Sequence, residues 1–178
     1  MSDDADTQRQ IGDVVRLGTI ESIDLAGATC RVRVGDLVTG DVPWLAMRAG
    51  KSASWSPPSI GEQGLLICAE GDTEAGVFLP GLSSNAAPAP SASGTLHLFR
   101  FEDGAELSYD HEAHALRVIL PAGATAAIEA PGGVTITGDV HIDGKLTVSD
   151  DVIGGGKSLK SHKHLGVTAG GGISGAPQ

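Results

Sequence analysis

The sequence predicts an all-β protein with three parts in order: an N-terminal OB-fold barrel, a triple-stranded intertwined trimeric β-helix, and a metal-bound C-terminal apex. Three observations carry this. Five short apolar runs separated by turn residues open the chain, one parity of apolar residues runs through 116–152, and His162 and His164 sit one residue apart in a glycine-rich end. The composition agrees, with 26 glycines among 178 residues and only 3% aromatics, a balance of strands and turns rather than of helical bundles. The net charge of −10 repels a phosphate backbone and argues against nucleic acid as a partner. No apolar run has membrane-spanning length, and the opening MSDDADTQRQ is not a charged-then-apolar leader, so a soluble cytoplasmic product is expected. Cys30 and Cys68 lack metal-type spacing and read as reduced, buried thiols.

The elements follow in order. Residues 1–12 are a polar, acidic tail. Over 13–82 the strand candidates are VVRLGTIESID, ATCRVRV, LVTGDVPW, GLLICAE and AGVFLP. In ATCRVRV the residues Cys30, Val32 and Val34 share one face while Arg31 and Arg33 share the other, as in a strand with one wet side. Five strands in so short a span suit a small closed barrel of the OB type. The stretch SSNAAPAPSASG then has little to bury and makes 83–95 a linker.

Residues 96–153 are the expected shaft. Taking every second residue from Leu116 to Val152 gives nineteen positions, of which fifteen are Val, Ile, Leu or Ala, three are Gly and one is Asp150. A single strand seldom exceeds about ten residues, so alternation of this length implies successive strands facing one interior. Inside it the units VTITGD, VHIDGK and LTVSDD repeat every six residues, each with two inward aliphatics and then Gly138, Gly144 or Asp150 at a corner. One chain has too narrow an apolar strip and two open edges. Three chains wound about a common axis pair those edges and let the strips meet. A left-handed β-helix of the hexapeptide acyltransferase kind is the competing solution, but it places one large aliphatic per hexad where this chain has two.

Residues 154–178 are the expected apex. In an extended segment His162 and His164 face one side, about 6.5 to 7 Å apart, with Lys163 on the other. On a threefold axis two imidazoles become six, an octahedral nitrogen shell that disfavours zinc and suits iron(II) or nickel. The region holds eight glycines in 25 residues, so the ordering cost of about 1 to 2 kcal/mol per residue has no core to offset it, whereas a structural metal supplies on the order of 10 kcal/mol. His97, His111, His114 and His141 are assigned no chemistry. All ten acids after the linker lie at or before Asp151, and Lys157, Lys160 and Lys163 follow it, leaving a positive end suited either to an anionic surface or simply to solubility.

The pieces VVRLGTIESID, CRVRVG, VPW, RAG at 48–50, WSPPSIGEQ, GVFLPGL and the terminal SHKHLGV, in this order, resemble the baseplate assembly protein V family, the central spikes of contractile phage tails and related injection systems. The resemblance implies a homotrimer with one iron (Fe2+) per trimer, held by His162 and His164 of each chain. It further implies a barrel that docks on tail hub and baseplate proteins, a tip that opens the host cell envelope, and a place in the virion tail baseplate after synthesis in the host cytoplasm. A trimeric fibre or adhesin is the alternative. No GxSxG, HExxH, paired carboxylates or phosphate-cradling glycine loop is present, so no enzyme is expected. Asp150 departs from the pattern, because it places a carboxylate where the other units turn inward, and calls for water, an ion or a slipped pleat.

Overall fold

The computed structural model describes residues 14–163 together with Gly166 and Gly170; the tail at 1–12 and His164 lie outside the described residues. Among the described residues there is no α-helix, only strands and two single 3-10 turns. The chain divides into two compact units, Met1–Ala126 and Ala127–Gln178.

All five strand candidates of the barrel form. β1 (Val15–Asp24) pairs antiparallel with β2 (Thr29–Val34) on one side and β5 (Gln63–Ile67) on the other. The third candidate is split into β3 (Leu37–Val38) and β4 (Val42–Pro43), both on β2. The reason is Thr39, whose buried hydroxyl accepts from the Val32 N–H at 3.0 Å and donates to the Gly40 carbonyl at 2.7 Å. A side chain thus replaces one ladder rung and turns the strand. β6 (Val77–Leu82) pairs with β5, and a parallel bridge from Trp44 to Phe78, with Leu45 N–H donating to the Phe78 carbonyl at 2.8 Å, closes the ring. First strand beside second and fourth, third beside fifth in parallel, is the OB arrangement.

The interior alternates as the sequence requires. Ile20, Cys30, Val32, Val42, Leu66, Cys68 and Phe78 form one buried cluster. Both cysteines are free and buried, and burial, helped by the charge of Asp41, pushes the Cys30 thiol up to about 11. On the outer face Arg33 makes two hydrogen bonds to the Glu21 carboxylate, at 2.9 and 2.6 Å. That pairing holds Glu21 below its ordinary value, though an exposed pair contributes little to stability. Gly18 of β1 faces Gly64 of β5, and a Cβ on Gly64 would lie 2.6 Å from Phe78 Cζ. The ring therefore lies over bare backbone.

After the linker, β7 (Leu96–Arg100), β8 (Glu106–Asp110) and β9 (Ala115–Ile119) make an antiparallel meander within one chain. Its cross-strand rows Phe99, Leu107, Val118 and His97, Tyr109, Leu116 share one face, and every one of these six residues is exposed. The first 24 residues of the expected shaft are thus a ladder within one chain, with a bare apolar face.

From 120 to 152 the chain forms no ladder, and each residue from 122 to 150 is exposed. Ile128 is 82% exposed and Ile136 68%, values that single apolar residues reach on any surface but that a run of them does not. The chain bends at 138, 143–144 and 149–150, at the corners of the six-residue repeat. Gly138 and Gly144 take φ of +127° and +146°, where a Cβ would be strained. A ladder needs a neighbouring strand, and in one chain the repeats show only these bends.

Candidate metal centre

Beyond the repeats, β10 (Ile153–Gly154) and β11 (Lys157–Ser158) form a hairpin whose turn residues Gly155 and Gly156 have φ of +55° and +76°. Two successive positive values define a type I′ turn, the connection whose twist fits a two-residue hairpin. The chain therefore doubles back here, and the even-numbered parity ends at Val152, with Ile153 and Leu159 exposed on odd numbers.

Asp151 fastens the hairpin. Its Oδ1 accepts from Val152 N–H at 2.8 Å and from Lys160 N–H at 3.0 Å. The Ser158 hydroxyl first, and then these and the Leu159 N–H, hold the carboxyl below its ordinary value. A lowered folded-state pKa means that the stabilisation is present above the ordinary carboxylate range and is lost as pH falls through the lowered value. Asp151→Asn should accordingly speed amide exchange at Lys160 at neutral pH. In the parent chain the same amide should lose protection only on acidification, and exchange insensitive to both changes would remove this role.

Asp150 acquires a partner. Within one chain Lys160 Nζ donates to its Oδ1 at 3.1 Å, with both side chains largely exposed. The returning strand brings an ammonium to the odd carboxylate. Lys157 and Lys163 are exposed.

His162 is not reached by an extended strand, as the spacing suggested. Its N–H donates to the Ser158 carbonyl at 3.1 Å, and Ser161 N–H donates to Ser158 Oγ at 2.9 Å, so serine side chains fold the chain into a turn. The imidazole is oriented by that turn instead. Its Nδ1 lies 3.1 Å from the Ser158 carbonyl oxygen and 3.3 Å from that of Leu159. Both are acceptors only, so Nδ1 is the donor toward them, the outer-shell arrangement by which proteins orient ligating histidines. His164, the expected second ligand, lies outside the described residues. Among the described residues of one chain no three His, Cys, Asp or Glu side chains converge on a common point.

One grouping has no counterpart in the sequence reading. His97 and His111 bring their rings to 5.8 Å between centroids, tilted by 48°. They are fourteen residues apart, and only the β7–β8 register, unknown before the hairpin is seen, makes them diagonal neighbours. On the barrel, Trp44 and Trp55 lie 5.8 Å apart beside a groove lined by Leu45, Met47, Pro57, Pro58 and Leu79.

Residues 16–82 match the Type VI secretion system/phage-baseplate injector OB domain, and 158–178 match the GpV Apex motif. The chain is similar to the spike protein of Escherichia phage P2, with 39% identity over 129 residues, covering 72% of this chain and 60% of that relative. It thus spans about three fifths of the relative's length. These are structural spike and baseplate proteins and not an enzyme family, which sets aside the acyltransferase reading.

Proposed function

We propose, from the membership of this chain in the phage baseplate assembly protein V family, that it is the central spike of a contractile tail baseplate. In this reading three copies assemble, their barrels dock on the tail hub, and an iron-capped tip pierces the host envelope. The observation that carries it is the even-numbered strip at 116–152, whose even positions are all exposed in one chain and which bends at the repeat corners 138, 143–144 and 149–150. Val134, Ile136, Val140, Ile142, Leu146 and Val148 are large, regularly spaced and uncovered. Two further copies of the same strip are the partner whose period matches. Assembly pairs the unladdered backbone of 120–152 and leaves no edge to fray under axial load.

His162, with its Nδ1 proton held by two carbonyl oxygens, has the donor chemistry for a borderline transition metal. Together with His164 of each chain it would hold the ion on the axis. The bound ion supplies a cross-link between three chain ends that lack a core. The barrel suits docking rather than strand-binding of nucleic acid, since stacking and positive charge are both scarce. The exposed Lys157 and Lys163 favour an anionic surface at the tip.

The test is the mass of the native assembly together with its metal content. Three chains and one iron are expected, and a metal-free monomer overturns the reading. The double substitution His162→Ala and His164→Ala should remove the metal and expose amides only beyond Val152, leaving the assembly at three chains. Dissociation on that substitution would mean that the ion, and not the strip, holds the shaft.

A further inference from the structure

We infer that His97 and His111 form a second metal site, a two-nitrogen clamp for a borderline divalent cation such as nickel or zinc, one per chain. The ladder builds it. His97 faces Tyr109, and His111 N–H donates to the Thr95 carbonyl at 3.2 Å, which extends the β7–β8 pairing by one rung. His111 directly follows β8 and continues its pairing with Thr95, so, two residues from Tyr109, it lies on the same face as His97. That places the two imidazoles on a diagonal across the hairpin, a spacing long side chains bridge.

The separation suits chelation. A metal lies about 2.0 to 2.1 Å from each ligating nitrogen, which puts the two ring centres on the order of 5 to 6 Å apart around one ion. The observed separation is 5.8 Å with the planes tilted by 48°, so the rings are not stacked face to face and small side-chain rotations bring a nitrogen of each to the ion. Borderline metals favour imidazole nitrogen, and softness rather than charge makes the selection. Local charge assists. Asp110 and Glu112 flank His111 in the sequence, and the Asp110 carboxylate is engaged by Ala113 N–H, Glu112 N–H and the Thr95 hydroxyl, so it remains anionic beside the site without occupying it. Water completes the coordination.

Both imidazoles come from one chain, on the meander face that also carries Leu116, and neither belongs to the apex. The test is therefore made on untagged full-length protein carrying His162→Ala and His164→Ala, titrated calorimetrically with Ni2+. One ion per chain is expected, with binding at least tenfold weaker in added His97→Gln and, separately, in added His111→Gln. Far-ultraviolet circular dichroism and thermal unfolding of each variant report whether the meander is retained. Retained affinity in either folded variant, or no binding in the parent, overturns the clamp. Because both apex histidines are absent throughout, neither result bears on the number of chains in the spike or on the iron at its tip.

Discussion

Ile136→Asp should dissociate the assembly, while Thr135→Asp, one residue away, should leave it at three chains. Ile136 is of the even parity and 68% exposed in a single chain, so in the proposed trimer its burial comes wholly from the other copies. Covering one such aliphatic contributes roughly 1.5 to 3 kcal/mol. Replacing it by a carboxylate forfeits that in all three chains. It also brings three like charges to one level of a dry interior, at a cost of several kcal/mol for each ion. Thr135 points the other way, and a carboxylate there meets water. Mass by analytical ultracentrifugation decides the matter. Monomers from Ile136→Asp with trimers from Thr135→Asp are expected, and trimers from both would mean that the even-numbered strip is not the interface. The barrel is a separate fold with its own core and should survive, as its tryptophan fluorescence would report.

What the sequence made legible depended on how local each constraint is. The barrel strands were readable because ATCRVRV carries its burial pattern in strict alternation and GLLICAE is a short apolar run between turn residues, and burial falls at Cys30, Val32, Leu66 and Cys68. The break at Thr39 was not readable, since a threonine in a strand ordinarily faces a neighbour rather than replacing a rung. The six-residue corners were legible because Gly138 and Gly144 recur with the period. The hairpin at Gly155 and Gly156 lies in a glycine-rich stretch, whose residues permit a turn without specifying one. The Asp150 partner follows from that reversal, which brings Lys160 back alongside, so the pairing could not be seen while the segment was taken to run onward. His162 was legible as a ligand type, but not as a ring oriented by Ser158 and Leu159 carbonyls. His97 and His111 stayed apart on the page because cross-strand register is a property of the folded hairpin.

Phe78→Ala should unfold the barrel near physiological temperature or leave it only marginally stable. The ring is fully buried, the largest side chain in a cluster of seven buried residues, and truncating a core phenylalanine costs about 3 to 5 kcal/mol. The site is poorly placed to relax. Phe78 lies over Gly64, which has no side chain to swing into the space, and its backbone carries the closing contacts with Trp44 and Leu45. Collapse of the cavity would pull the seam between third and fifth strands out of register. A small domain has about 5 to 15 kcal/mol in total, so one substitution removes a large share. Met47→Ala is the control, since Met47 is 84% exposed and its loss should move stability by no more than about 0.5 kcal/mol. Urea unfolding followed by tryptophan fluorescence compares the two, with Trp44 reporting directly on the seam. Equal midpoints for Phe78→Ala and the parent chain would show that the ring does not hold the barrel closed.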